Sequence, residues 1–307
     1  MSIVVLGAVF VDIKGYPTAP YIPGGRNTGI VEHVHGGVSR NIAEDIANVE
    51  LRPRFVSLVD NSSLGTEVIK KLERHKVDTR YIVRTEDGMG TWLAIFDNNG
   101  DVVAAISKRP DLTPVLELLK EKGDEIFQDA DSILLEIDMD KEIVNEVFRY
   151  AEKYGAPVYA AVSNMSIASK RRDLLRYTDC LVCNRQEASI LFSDDLDDKT
   201  ADEMQTILAE KIRLAGIPAM IVTMGADGAV YANMKGENGF CPAKKVAVRD
   251  TTGAGDAFFA GCAVGLTYRK SMRESCEIGT RMAASVITSL ENVCPRFLPE
   301  EFGLTEL

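Results

Sequence analysis

Between residues 113 and 223 the sequence alternates helix-length amphipathic stretches with short apolar runs. No other feature narrows the available folds as much. Helical spacing is expected near 113–122, 141–154, 185–192 and 200–215, and the apolar runs fall at 132–137, 157–162, 180–183 and 219–223. Short apolar runs separated by helices suit parallel strands, because each crossover helix covers a face of the sheet. The expected fold class is α/β, a doubly wound, mostly parallel sheet flanked by helices. The runs 3–10 and 54–59 add two strands, and the helical spacing of Leu64, Val68, Ile69 and Leu72 adds a helix.

The first third also carries a different pattern. Residues 28–35 alternate apolar and polar, and 81–83, 91–96 and 102–106 are short runs split by the turns Asp87-Gly88 and Asn98-Asn99-Gly100-Asp101. Segments 13–35 and 81–107 are therefore expected to build a small β-sheet, a lid beside the main sheet. With no repeat or low-complexity linker, 1–307 reads as one domain.

Composition excludes several classes. Net charge is −11 with no basic stripe, which disfavours nucleic acid as a polymeric partner. Small anions remain open, because local amides and single cations decide such sites. Every apolar run falls far short of a membrane span. Met1 to Gly7 lacks a basic region and a cleavage site and reads as a core strand, so no membrane contact and a cytoplasmic location are expected. Six cysteines in 307 residues do not make a disulfide scaffold. Cys180 and Cys183, three apart on a strand, face opposite sides and read as core thiols. His33 and His35 share a strand face but lack a third metal ligand. Arg269, Lys270 and Arg273 read as solvated charge.

The chemistry concentrates in Asp250-Thr251-Thr252-Gly253-Ala254-Gly255-Asp256-Ala257-Phe258, after the strand-like run 245–248 and before an apolar helix. Small residues let the backbone wrap closely around a ligand, and amides at a helix start carry partial positive charge without intrahelical partners. Asp256 alone is better read as an ordinary helix cap; with the second Asp, the two threonines and the close glycines it reads as an anion cradle with a base beside it. Three other stretches stand at strand ends, where open α/β sheets bind ligands. They are Asp12-Ile13-Lys14-Gly15, Gly36-Gly37-Val38-Ser39-Arg40-Asn41, and Asn184-Arg185-Gln186-Glu187. Thr223-Met224-Gly225-Ala226-Asp227-Gly228 follows another strand and by itself is a hairpin turn. There is no G-x-x-x-x-G-K-[ST] loop. A dinucleotide fingerprint is also missing, since Gly7-Ala8-Val9-Phe10-Val11-Asp12 follows the first strand.

These stretches, in this order, resemble the ribokinase (PfkB) family of sugar and nucleoside kinases over essentially the whole chain. The resemblance implies a ribokinase-like fold and ATP-dependent transfer of the γ-phosphoryl group to a primary hydroxyl. Asp256 matches the base, and the amides of Gly253, Ala254 and Gly255 match the anion hole. Asp12, Gly36, Gly37 and Asn41 match the residues that hold the sugar, while Val38-Ser39-Arg40 departs from the Lys-Gly-Ala of ribokinases proper. Asn184 and Glu187 match the N-x-x-E element, whose Glu organises magnesium through water. Thr223, Gly225, Gly228 and Thr252 match nucleotide contacts. Asp250 and the Thr252 carbonyl match a monovalent-cation site that takes potassium in part of the family. A final helix near 271–290 brings Ala283, Ala284 and Val286 to the adenine, with 289–295 as the opposite wall. The substrate motifs look most like the pseudouridine kinase branch, so the pseudouridine 5′-hydroxyl is the expected acceptor. Ala160-Ala161-Val162-Ser163 departs from that branch. Ribose, fructose, ketodeoxygluconate or a purine nucleoside are the alternatives, as is a non-catalytic sugar- or nucleotide-binding regulator on the same fold. Family lids pair in homodimers, which the resemblance extends to this chain.

Overall fold

The computed structural model describes residues 1–304. Strand β1 (Ile3–Leu6) is buried throughout and ends earlier than the apolar run 3–10 suggests. The chain breaks at 7–9 and resumes as β2 (Phe10–Pro17), which enters a second sheet, so Asp12 stands on a strand of that sheet rather than beyond the end of the first. β3 (Gly29–Gly36) runs antiparallel to β2 and leads into α1 (Val38–Ala47). Next come β4 (Arg54–Asp60), α2 (Ser63–Arg74) and β5 (Ile82–Thr85), then β6 (Gly90–Phe96) and β7 (Val102–Lys108).

The small sheet has the order β3-β2-β6-β7. One expected member is missing from it. β5 pairs in parallel with β4 at the edge of the main sheet instead. Its Ile82 and Val83 pack on the two opposite cores of that sheet, which an exposed small sheet could not offer.

The second part of the chain follows the expected rhythm. α3 (Thr113–Phe127), β8 (Ser132–Glu136), α4 (Lys141–Tyr154) and β9 (Val158–Ala161) lead through the one-turn helices α5 (Met165–Ala168) and α6 (Arg172–Leu175). β10 (Cys180–Asn184), α7 (Arg185–Phe192), α8 (Ala201–Ala215) and β11 (Ala219–Thr223) follow, and β12 (Ala229–Asn233) and β13 (Asn238–Cys241) return antiparallel. The last two helices are α9 (Ala254–Thr267) and α10 (Met272–Ile287). The nine-stranded sheet runs β13-β12-β11-β10-β9-β8-β1-β4-β5. Strand order reverses between β1 and β8, and the crevice outside their carboxyl ends is where such sheets bind ligands.

The helices cover both faces. α1, α2, α9 and α10 pack on one side of the sheet, and α3, α4, α7 and α8 on the other. α9 is apolar nearly all round, as a helix enclosed by others must be. Its Gly261 lies so close to Gly279 of α10 that an added Cβ would stand 2.7 Å from the Gly279 Cα. Small residues thus let the two helices dock tightly and fix the N-terminus of α9. The six cysteines are buried and free. No helix among the described residues is long and apolar enough to cross a membrane.

Candidate active site

The turn before α9 is built around two glycines. Gly253 caps the helix with φ of 79°, and a Cβ there would fall 2.0 Å from the Asn292 carbonyl oxygen. At Gly255 a Cβ would meet nothing within 4 Å, so the first turn of α9 opens onto space. No side chain caps this helix. The ordinary-cap reading of Asp256 therefore fails: its Oδ2 instead accepts a 2.6 Å hydrogen bond from Asn41 Nδ2, which reaches across from α1. Burial pushes the Asp256 pKa up to about 6, with Glu187 and Asp12 pushing the same way and Asn41 and Arg40 opposing them.

The remaining candidates for holding substrate converge beside Asp256. Asp12 lies on β2 with its carboxylate against the Gly36-Gly37 turn, where a Cβ on Gly36 would stand 2.7 Å from Oδ2. Gly37, at φ 100°, would clash with the Ala8 carbonyl if it carried a side chain. Burial raises the Asp12 pKa, and the nearby Lys14 and Arg40 counter it. In the small sheet Asp12 is in register with Trp92. By strand alternation Phe10, Lys14, Tyr16 and Phe96 share their face. Tyr16 stacks on Phe96 with centroids 4.7 Å apart, and Trp92 meets Phe96 edge-on at 6.4 Å.

Two acidic residues absent from the sequence assignment complete the crevice. Glu136 ends β8, is buried, and accepts from the Ser39 amide at 3.0 Å. Burial and the neighbouring Asp138 push its pKa up to about 7. Asp138 accepts from the Ser163 amide and hydroxyl and pairs with Arg109 at 2.5 Å. The pair was legible as Glu136-Ile137-Asp138, charges closing an otherwise apolar strand at its carboxyl end. Asn184 and Glu187 form a capping box, with the Glu187 Oε2 accepting from the Asn184 amide at 2.7 Å and the Asn184 Oδ1 accepting from the Glu187 amide at 2.8 Å. Burial raises the Glu187 pKa, and repulsion from Asp138 adds to it.

Among the described residues no group of three or more His, Cys, Asp or Glu side chains forms a metal cage, and His33 and His35 make none. The mutual repulsion of Asp138, Glu187 and Asp256 suits a divalent cation held by water and phosphates rather than by such a cage. Asp250 sits with its Oδ1 2.8 Å from the Thr252 amide, and that hydrogen bond holds its pKa below the usual value.

On the other side of the α9 turn lies a cavity of about 520 Å³, lined by Thr223, Gly225, Gly228, Gly255, Phe258, Ala283 and Ala284 among others. It therefore joins the Thr223–Gly228 stretch to the glycine turn. Three expectations are corrected here. The run 245–248 forms no strand; Val246 and Val248 have no partner strand and wall the cavity instead. Val286 lies in the core rather than in the cavity. Segment 289–295 does not form the opposite wall. It crosses to α1, where the Cys294 amide donates to Asp45 at 2.6 Å and the Cys294 carbonyl accepts from Asn48 at 2.7 Å. A buried polar face on α1 gives that segment more hydrogen-bonding partners than an apolar cavity would.

This crevice combines a partly buried carboxylate, an open helix N-terminus and an adjoining cavity, an arrangement suited to phosphoryl transfer to an alcohol. The chain belongs to the pfkB family of carbohydrate kinases, which it matches over residues 1–293. It is a sugar or nucleoside kinase of that family, a phosphotransferase with an alcohol acceptor. It is 34% identical over 293 residues to the guanosine-inosine kinase of Exiguobacterium acetylicum, covering 95% of this chain and 96% of that one. To the pseudouridine kinase of Escherichia coli it is 27% identical over 278 residues, covering 88% and 87%. Its fold superposes on Arabidopsis thaliana ribokinase complexed with ribose and ATP with a TM-score of 0.81, at 21% identity and covering 98% and 97%.

Proposed function

We propose that this kinase transfers the γ-phosphoryl group of ATP to the 5′-hydroxyl of a nucleoside, with a purine nucleoside ahead of pseudouridine. The observation that carries the nucleoside reading is the aromatic face beside Asp12. A free pentose would leave Trp92 and the Tyr16–Phe96 stack uncovered, whereas a base can lie against them. The order of the two bases rests on the relatives, at 34% for the guanosine-inosine kinase and 27% for the pseudouridine kinase.

In this mechanism Asp12, Asn41 and the Gly36-Gly37 backbone orient the ribose, and Asp12 accepts from its hydroxyls. Asp256 receives the proton of the attacking hydroxyl late in the transfer, so positioning supplies more of the rate than basicity. The amides of Gly253 and Gly255 stabilise the charge growing on the phosphoryl oxygens, each donor contributing about 3 kcal/mol, whereas the Ala254 amide, the third expected donor, donates to the Thr251 carbonyl at 3.2 Å. Thr223, Gly225 and Gly228 line the path to the triphosphate, with the adenine in the apolar cavity, and Thr252 stands on the turn beside it. Magnesium, when bound, neutralises phosphate charge. Asn184 fixes Glu187, which would hold the ion through water. Asp250 and the Thr252 carbonyl are the residues that would hold a potassium ion.

The small sheet acts as the lid over this site. Ile30, Val31, Val102, Val103 and Ile106 on its two edge strands are exposed, which supports pairing of two lids in a homodimer. The test is magnesium-ATP turnover by coupled ADP detection with inosine, guanosine, pseudouridine, adenosine, ribose and fructose, with and without potassium. The proposal expects inosine or guanosine to give the highest kcat/KM. A preference for ribose or fructose would refute the nucleoside reading. Nucleotide binding without turnover of any acceptor would favour a regulator.

A further inference from the structure

The loop after α10 reaches three parts of the site through one residue. Asn292 Nδ2 donates to the His35 carbonyl at 3.1 Å and to Asn41 Oδ1 at 3.3 Å. Its own carbonyl oxygen occupies the space that a side chain on Gly253 would need. His35 precedes the Gly36-Gly37 turn at the end of β3, so its carbonyl marks the junction between the small sheet and α1. Arg40, itself almost fully buried, donates to the same carbonyl. Asn292 therefore touches the junction of the small sheet, the partner of Asp256 and the anion-hole turn together.

We infer that Asn292 is a positioning residue for phosphoryl transfer, acting through Asn41. An amide side chain has one acceptor end and one donor end. With Asn41 Oδ1 engaged by Asn292, its NH2 end is the one held toward Asp256 Oδ2 at 2.6 Å. The same contact ties that orientation to the seat of β3, so the base is aligned when the small sheet is in place. Asn292 lies in the segment 289–295 expected at the adenine, not among the residues expected at the acceptor, and it acts from 251 residues away from Asn41. This inference rests on the assignment of Asp256 as the base, which the turnover of Asp256→Asn tests separately.

The experiment is a double-mutant cycle on the full-length enzyme with the best acceptor of the panel. Asn292→Leu keeps the volume and removes the donor; Asn41→Ala removes the group it acts through. Asn292→Leu is expected to lower kcat about 5- to 10-fold with little change in the KM for ATP. In the Asn41→Ala background the same change should cost less than about 2-fold, because residues acting as one unit are not additive. Asn292→Leu should also raise the acid limb of the kcat/KM profile, as a less well-aligned hydrogen bond stabilises the Asp256 carboxylate less. An NMR titration of the Asp256 carboxyl reads the same movement without substrate. Thermal melts of each variant establish folding.

Equal, additive losses in both backgrounds would overturn the inference and leave Asn292 a structural residue. So would an unmoved Asp256 titration, or wild-type kcat in a folded Asn292→Leu. Near-normal turnover in Asp256→Asn would instead overturn the base assignment, and this inference with it. Silence of every acceptor with wild-type enzyme would overturn the kinase reading on which both stand.

Discussion

Replacing Asp256 with Asn should make this protein more stable and less active together. In the folded chain Asp256 ionises at about 6, against an ordinary value of 3.8, mainly because its carboxyl is desolvated. Between those two pH values the native state binds more protons than the unfolded chain, so stability falls as pH rises across the window. At pH 8 the whole cost is present. The displacement corresponds to roughly 3 kcal/mol for full burial. Asp256 retains some exposure, and screening reduces the expected gain to about 1–2 kcal/mol. Asn avoids this cost because it carries no charge, and its carbonyl still accepts from Asn41. Removing the charge also relieves Glu136, on which Asp256 acts repulsively. A chain of this length gains about 2 °C in Tm per kcal/mol, so Asp256→Asn should melt about 2–4 °C higher at pH 8 without ligands. The difference should shrink as pH falls toward 4. Turnover should drop by at least ~100-fold with ATP binding retained. Calorimetric melts across pH 4–8 and steady-state kinetics measure the two halves. A Tm that falls at pH 8, or a gain that grows toward low pH, would refute the electrostatic argument.

Gly255→Ala places a methyl in open space, so the melt should be unchanged while turnover falls at least ~10-fold because the methyl intrudes on the phosphoryl position. Unchanged kinetics would remove that turn from the anion hole. Gly253→Ala combines a φ of 79° with a clash against the Asn292 carbonyl, and should lower both Tm and turnover; a wild-type melt would contradict it. Asp12→Ala should raise the acceptor KM at least ~30-fold with a smaller change in kcat, and an unaltered KM would exclude Asp12 from the site. The kcat/KM of the wild type should fall as pH drops through about 6, where Asp256 gains its proton, and a flat profile from pH 5 to 8 would oppose a carboxylate base.

The main sheet was legible because each buried parallel strand is an apolar run set between amphipathic helices. The residues around Asp256 were legible because closely spaced glycines and threonines ahead of an apolar helix leave its first amides open to a ligand, even though the run 245–248 before them forms no strand. Three things were hidden for physical reasons. Residues 3–10 form one apolar run, yet β1 and β2 belong to different sheets, and apolar periodicity carries no sign of which sheet a strand joins. β5 looks like its neighbours in the small sheet, but both of its faces find a core in the main one. The path of 289–295 depends on Asp45 and Asn48, buried polar groups on α1 whose need for partners emerges only once α1 is packed. Asn292 belongs to that third case. Its partners are brought near by the fold, and nothing in its local sequence announces them.

The most direct test of the account is the identity of the product formed from inosine and magnesium-ATP, read by phosphorus NMR and mass spectrometry. The account predicts a monophosphate esterified at the 5′-oxygen, formed by the wild type and nearly absent with Asp256→Asn. ATP consumption without a nucleoside phosphate, or phosphorylation of free ribose in preference to inosine and guanosine, would contradict it.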